Sequence, residues 1–322
     1  MPTLTIIVPA YNEAKGLSAF HQRLAEVTRG LDLDCRVLYV DDGSRDGTWE
    51  AIRAIAADDP RTDALRLSRN FGKEAALSAG LDHADADAVV VIDADLQDPP
   101  ELIPELVEQW REGYDVVYAT RTAREGEGRM KRLTAAAFYR LMEQLSDTPL
   151  PRDTGDFRLL SRRAVLALRE LRERQRFMKG LFTWIGYRQT GVHYRREPRH
   201  QGASKWSFWR LLNLAVEGIT SFSVAPLRLA TWIGFGSSLL AFVYGAWVFV
   251  KALIWGDPVQ GYPTLILVIL FLGGVQLLAL GVIGEYLGRL YAESKQRPLY
   301  FVQDHLASGN TPDPVPETRR SR

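Results

Sequence analysis

Cysteine is nearly absent: the 322-residue chain has one, Cys35, inside the apolar run CRVLYV. No internal disulfide can form, so the part that carries it suits a reducing compartment. Histidine is scarce as well. The five, His21, His83, His193, His200 and His305, share no spacing that would build a zinc site, so any bound metal is expected to be held by oxygen atoms. Charge of one sign is not in excess: 40 lysines and arginines against 39 acids leave a formal net charge of +1, and nucleic acid is not the obvious partner. No G-x-G-x-x-G follows the first apolar run, which removes the main warrant for a dinucleotide-binding dehydrogenase. A P-loop is also missing, because Gly72-Lys73 is followed by Glu74 and Leu67 stands where the earlier glycine belongs. TLTIIVPAYNE lacks a basic leader and meets Glu13 early, so no signal peptide is expected.

Two stretches lack charge altogether. Leu229 to Val250 and Pro263 to Gly284 are each 22 residues without an ionised side chain, and at about 1.5 Å per residue each reaches roughly 30 Å, the hydrocarbon thickness of a bilayer. They read as two transmembrane helices; buried helices of a large soluble core are the alternative. Arg210 and Arg228 precede the first, and Arg289, Lys295 and Arg297 follow the second, whereas the connection KALIWGDPVQGY carries only Lys251 and Asp257. By the positive-inside rule both termini and the large N-terminal region are cytoplasmic and the connection faces out, which makes a multi-pass protein of the cell (inner) membrane.

What remains is an α/β pattern. Apolar runs TLTIIVP, CRVLYV, ALRLS, AVVVI and DVVYAT alternate with helical segments at Glu13 to Gly30, Thr48 to Ala57, Glu74 to Ala84 and Pro100 to Glu112. Strands apolar throughout and separated by helices imply a mainly parallel sheet covered on both faces, with ligands at the carboxyl ends of the strands. Polar groups follow each run: Pro9-Ala10-Tyr11-Asn12-Glu13, then Asp41-Asp42-Gly43-Ser44, then Ser68 to Lys73, then Asp93-Ala94-Asp95-Leu96-Gln97. Taken singly, DDGSRDGT also reads as two Asp-Gly turns and a helix cap. Together they mark one rim. With no helix-cradled phosphate device, a diphosphate there needs a divalent counter-charge, and Asp95 with Gln97 offers hard oxygen ligands suited to Mg²⁺ or Mn²⁺.

PAYNE, VDDGSRDGT, LSRNFGKEAALSAGLDHADADAVVVIDADLQDPPE, GDFRLLSR and GASKW resemble the family-2 glycosyltransferases of GT-A fold, and among them the polyprenyl-phosphate glycosyltransferases, over nearly the whole chain. The resemblance implies a Rossmann-like GT-A domain, a nucleotide-sugar donor and a polyprenyl-phosphate acceptor. It assigns Pro9, Ala10, Tyr11, Glu13, Val40, Asp42 and Lys73 to the donor site, and Asp93, Ala94 and Asp95 to the metal-diphosphate motif, with Gln97 completing the metal shell. Arg121 and Arg132 fall at the sugar phosphates, Arg199 and Lys205 on a basic loop near them, and Asp156 beside the acceptor or sugar. Asp95, Asp156, Arg121 and Lys205 form the expected catalytic set. Glucose from a uridine diphosphate donor to undecaprenyl phosphate, for the cell envelope, is the leading expectation, with mannose from a guanosine donor as the alternative.

The chemistry stands apart from the family. A phosphate monoester has a second pKa of about 6, so the lipid phosphate is mostly a dianion at neutral pH and needs orientation more than deprotonation. A single inverting displacement follows, with Asp156 positioning and acting as base only weakly. WSFWRLLNLAVEGITSFSVAPLR has Trp206, Phe208, Trp209, Leu212 and Val216 on one face, as an interfacial helix would, and RMKRLTAAAFYRLMEQL is a second amphipathic piece. The expected divisions are a GT-A domain at 1–205, a juxtamembrane amphipathic helix at 206–228, a transmembrane hairpin at 229–290, a C-terminal extension at 291–306 and a disordered tail at 307–322. In the extension, RPLYFVQDHL reads as a short strand, pairing with a neighbouring subunit. Glycines 273, 274, 281, 284 and 288 permit close helix contact within the hairpin or in a homo-oligomer. A processive polysaccharide synthase is disfavoured, since Gln175-Arg176-Phe177-Met178 does not fit the Gln-x-x-Arg-Trp pattern of such enzymes and two spans are few for a polymer channel. A silent membrane scaffold is the rival from outside enzymes.

Overall fold

A computed structural model of the chain describes residues 1–121, 154–174, 176–194, 225–255 and 261–307. Two compact units result: one from Met1–Glu143, Thr148–Phe208 and Arg297–Arg322, the other from Gln144–Asp147 and Trp209–Gln296.

In the first unit, β1 (Thr3–Ala10), β2 (Asp34–Asp41), β3 (Thr62–Leu67) and β4 (Ala88–Val91) are the first four apolar runs. β1 pairs in parallel with β2 and β4, and β2 with β3. Their side chains are buried on both faces, as with Ile6, Ile7 and Val8 at 0% exposure, which is why no polar alternation appears in the sequence. The connecting helices are α1 (Leu17–Arg29), α2 (Thr48–Asp58), α3 (Lys73–His83) and α4 (Ile103–Arg111), the last entered through a 3₁₀ turn at Pro100–Leu102. α1 starts later than its pattern suggested because Gly16 N donates to Glu13 O in a separate turn (3.1 Å), leaving Glu13 in the loop after β1. Nearly all of α3 from Ala75 to Leu81 is buried, so its residues are small; at Gly80 an added Cβ would meet Ile7 Cγ2 at 2.4 Å.

Beyond β4 the sheet turns mixed. Its order is β7-β5-β6-β4-β1-β2-β3-β8. β5 (Val116–Arg121) is not the neighbour of β4, because β6 (Thr154–Ser161), the stretch TGDFRLLS, inserts antiparallel between them, and β7 (Gln189–Tyr194) lies parallel outside β5. Register then carries a consequence. Val91 is level with Arg158 in the β4–β6 ladder, so two residues past the strand end Asp93 comes level with Asp156. α5 (Arg162–Glu170) follows, its N-terminus capped by Ser161 Oγ accepting from Ala164 N, and then α6 (Met178–Trp184). β8 (Val302–Leu306) closes the other edge antiparallel to β3. The expected strand in RPLYFVQDHL therefore exists, and within this chain it pairs with β3.

The second unit contains α7 (Ala225–Trp255) and α8 (Tyr262–Ser294). Both hold windows long and apolar enough to cross a membrane, Leu229–Trp247 and Phe271–Ser294, of which 11% and 0% are buried. A core helix of a soluble protein would be mostly buried, so that alternative loses its footing. Among the described residues, no atom beyond the helix's own nearby backbone comes within 4 Å of a Cβ built at Gly273, Gly274, Gly281, Gly284 or Gly288, so no close contact of the hairpin is made through them there. Most of 206–228 and all of the basic loop fall outside the described residues, as do the second amphipathic piece and the tail from 308 on.

Candidate active site

The carboxyl ends of β1 to β4 bring their four following loops around a pocket of about 250 Å³. Pro9, Ala10, Tyr11 and Glu13 line it after β1, Asp42 after β2, Asn70, Gly72, Lys73 and Ala76 after β3, and Asp93, Ala94 and Asp95 after β4. Parallel strands put their carboxyl ends on one side, so residues far apart in sequence share one rim.

The loops are tied to one another. Asn12, in a left-handed conformation (φ 57), donates its N–H to Ser44 Oγ (3.0 Å) and accepts from Arg45 N at Oδ1 (3.0 Å), while Glu13 N donates to Thr48 Oγ1 (2.9 Å). Asp42 accepts from Phe71 N (2.8 Å) and Gly72 N (3.0 Å), one at each carboxylate oxygen. Burial raises its pKa, against those two donors. Gly43 beside it has φ 64, and a Cβ there would lie 2.4 Å from the Arg69 carbonyl carbon. VDDGS is thus more than a turn: its acid holds the loop after β3 and its glycine makes room for that loop.

Lys73, first residue of α3, places Nζ 2.7 Å from Asp93 and 2.5 Å from Asp156. Burial works to lower the lysine pKa, but the two carboxylates outweigh it and the shift is upward. The carboxylates divide. Asp156 is half-buried, and the loss of solvent opposes its ionisation, yet Lys73, Lys179 and Arg158 hold it at about 2. Asp93 is raised, first by burial, with Lys73 only partly compensating and Asp156 adding repulsion. One ammonium does not neutralise both. Arg158 on β6 is 2% exposed, its guanidinium 3.8 Å from the centre of the Phe182 ring. Beside this group Glu74 accepts from Met178 N (3.3 Å), and burial followed by the Asp156 charge pushes it up to about 7.

After β4 the chain reverses within three residues. Asp95 Oδ1 accepts from Gln97 N (3.1 Å), Leu96 is left-handed (φ 58), and Asp98 is buried, accepting from Tyr194 Oη. A bulky residue with positive φ is strained, and such strain collects at functional turns. Here it keeps Asp95 on the pocket while Gln97, 6% exposed, leaves the lining. The Gln97 side-chain nitrogen is buried without a partner among the described residues. The residues fit a divalent cation: Asp93 and Asp95 are hard oxygen donors on the pocket lining, and a cation there would favour the ionised form of Asp93 that burial and Asp156 oppose. No three His, Cys, Asp or Glu side chains form a ready cage among the described residues, as expected of Mg²⁺-type sites that complete their shell with substrate phosphates.

Of the sequence candidates, Pro9, Ala10, Tyr11, Glu13, Asp42, Lys73, Asp93, Ala94 and Asp95 meet at the pocket, and Asp156 joins them through Lys73. Val40 does not line it; it is fully buried inside β2, paired with Pro9 and Leu65. Arg132, Arg199, Lys205 and the side chain of Arg121 lie outside the described residues. Glu74 and Arg158 were missed. An acid in the first turn of an alanine-rich helix and an arginine inside an apolar strand are polar residues in buried settings, which is the signal both gave.

Residues 5–169 match the family described as Glycosyl transferase family 2, and residues 225–290 match the GtrB C-terminal hairpin. The chain is 52% identical to an uncharacterized glycosyltransferase of Synechocystis over 94% of this chain and 95% of that protein. It is 47% identical to the bactoprenol glucosyl transferase of Shigella phage SfV, over 94% and 98%. Among solved structures, glucosyl-3-phosphoglycerate synthase from Mycobacterium tuberculosis in complex with Mn²⁺, UDP and phosphoglyceric acid aligns at TM-score 0.45 and 23% identity, covering 67% of this chain and 75% of that one.

Proposed function

Because the chain belongs to glycosyl transferase family 2, we propose that it moves glucose from UDP-glucose to a polyprenyl phosphate of the bactoprenol type, with inversion, at the cytoplasmic face of the cell membrane. The relative named a bactoprenol glucosyl transferase, matched over nearly its full length, supports the acceptor class and the sugar. The observation that carries the reading is the pocket lined by Asp93 and Asp95 after β4, with Lys73 at its rim bridging Asp93 to Asp156 of β6.

Asp93 and Asp95, without the Gln97 side chain that leaves the pocket lining, would hold Mg²⁺ or Mn²⁺, which supplies positive charge to a diphosphate leaving group. Tyr11, 43% exposed at the pocket, offers a ring for the base, and Asp42 with Glu13 fixes the loops around the nucleoside. Asp156, ionised at any physiological pH, orients rather than deprotonates, since the acceptor phosphate is already a dianion above about pH 6. Arg121, Arg132, Arg199 and Lys205 are assigned to the donor and acceptor phosphates on the sequence pattern. α7 and α8 hold the domain at the bilayer, where its lipid acceptor is confined.

The test is direct. Purified chain in detergent with undecaprenyl phosphate and Mn²⁺ receives radiolabelled UDP-glucose or GDP-mannose, one at a time. Label extracted with the lipid from UDP-glucose alone is the expected result. Label from GDP-mannose alone moves the reading to the mannosyl alternative. Polymeric product would indicate a processive synthase, and no transfer together with no metal-dependent thermal shift would leave only a scaffold.

A further inference from the structure

We propose that Phe301, with Tyr300, is a positioning residue for the donor pocket: the strand that follows the membrane hairpin clamps the loop that carries Asn70, Gly72 and Lys73. The proposal rests on reading that pocket as the nucleotide-sugar site.

The loop after β3 is held on its inner side by the Asp42 carboxylate, which takes Phe71 N and Gly72 N. Its outer side is held by β8 and the two residues before it. The β3–β8 ladder runs in step from Ala64 opposite Leu306 to Arg66 opposite Asp304, then shifts, with Leu67 opposite Val302. One residue, Gln303, is extra on β8. Bulges of this kind re-aim the chain beside active sites. Past it, Ser68 N donates to Phe301 O (2.9 Å), and the Phe301 ring packs on Phe71 with centroids 6.3 Å apart and planes tilted by 53°. The Arg69 guanidinium also lies over the Phe71 ring, 4.4 Å from its centroid. Tyr300 reaches the far end of α3, donating its hydroxyl to Asp82 Oδ2 (2.8 Å), an oxygen that also takes Arg172 Nη1 (2.8 Å). Two adjacent residues thus grip the loop before α3 and the last turn of α3, and the first residue of that helix is Lys73.

This contact is not explained as core packing. Phe301 is 47% exposed and absent from the buried cluster of the sheet, so its removal opens no large cavity. What it covers is Phe71, whose backbone N–H is one of the two that Asp42 fixes. With the outer support gone, Phe71 and Gly72 gain freedom, and Lys73 loses its fixed approach to Asp93 and Asp156.

The experiment uses the full chain in detergent, with Mn²⁺ and UDP as probe. Phe301→Ala is expected to weaken Mn²⁺·UDP binding roughly threefold to tenfold in titration calorimetry, the range of one aromatic pair, and to raise KM for the donor with kcat unchanged. Phe301→Tyr should restore both. Amide exchange at Ser68, Phe71 and Gly72 should quicken in Phe301→Ala without any ligand present. Asp304→Asn, which cuts the ion pair of β8 with Arg66 (3.7 Å) and leaves Phe301 in place, should bind as the unsubstituted chain does. Unchanged affinity or unchanged exchange in Phe301→Ala overturns the clamp even if its melting temperature falls, as does equal weakening in Asp304→Asn. Failure of the unsubstituted chain to bind Mn²⁺·UDP overturns the donor reading and the positioning role with it.

Discussion

The ammonium of Lys73 reaches two carboxylates that arrive from different strands, and the unequal fate of those acids sets what each can do. Asp156, held at about 2 by Lys73, Lys179 and Arg158 against its burial, is too weak a base to accumulate a proton near neutrality. In Asp156→Asn, kcat should fall about a hundredfold through lost orientation, while the acidic limb of the pH–rate profile persists near the second phosphate pKa of about 6. Loss of that limb in the variant would make Asp156 the base after all. Glu74 is the opposite case. Its ordinary pKa of 4.5 rises to about 7 in the folded chain, so between those values the folded state binds more protons than the unfolded one. The stabilisation is complete below pH 4.5 and is lost as pH rises to 7. Glu74→Gln should therefore melt higher than the parent at pH 8, by roughly 1–3 kcal/mol, with the difference shrinking to nothing towards pH 4.5. Thermal unfolding in detergent across that range checks it, and a pH-independent difference would deny Glu74 its proton uptake. Neither residue's role was legible in the sequence in the same degree: Asp156 was found through the GDFRLLSR resemblance, whereas the pKa of Glu74 depends on which side chains face it across α3 and β6.

Elements that follow local rules were read correctly, and those set by long-range pairing were not. β1 to β4 announce themselves as apolar runs because both faces are covered, and the rim they create follows from parallel direction alone. β6 is also mostly buried, but nothing in TGDFRLLS says that it enters between β4 and β5 in the opposite direction. That insertion is what brings Asp156 level with Asp93. β8 likewise was legible as a strand, its partner was not, since an edge pairing leaves no mark in the pattern of either strand. α3 was recognised by its helical pattern, yet its close approach to β1 appears only in the packing at Gly80. An alanine there would gain up to about 1 kcal/mol of helix propensity but would meet Ile7 Cγ2 at 2.4 Å. Ile7 is fully buried and β-branched, so it has little room to turn away. Gly80→Ala should destabilise the chain by about 1–3 kcal/mol, read as a fall in the urea midpoint, and a stabilised variant would mean that α3 can slide without cost.

At the scale of the whole molecule the question is which way the hairpin runs. α7 has 31 residues and α8 has 33, so at 1.5 Å each they rise about 46 and 50 Å, more than the roughly 30 Å of hydrocarbon they need to cross. The surplus on α8 is placed at its C-terminal end, where half-buried Arg289 pairs with exposed Glu285 at 3.2 Å, and ion pairs of this kind belong in the headgroup or water layer. That end leads into Lys295 and Arg297 and then to β8, whereas the connection between the helices carries one lysine and one aspartate. The bias of basic residues is the ground for the proposed cytoplasmic catalytic unit with an outward connection, an orientation that would give the site access to cytosolic nucleotide sugars. The scarcity of cysteine makes this testable with little background. Cys35 is 6% exposed and its thiol is pushed by burial to about 11, so it should not react with maleimides in the folded chain. In a Cys35→Ser background, Asp257→Cys is expected to label with a membrane-impermeant maleimide added to intact spheroplasts, and a cysteine in place of Ser321 only after the membrane is opened. Labelling of the Ser321 position in sealed cells, with protection of position 257, would put the catalytic unit on the wrong side of the membrane for a cytosolic donor.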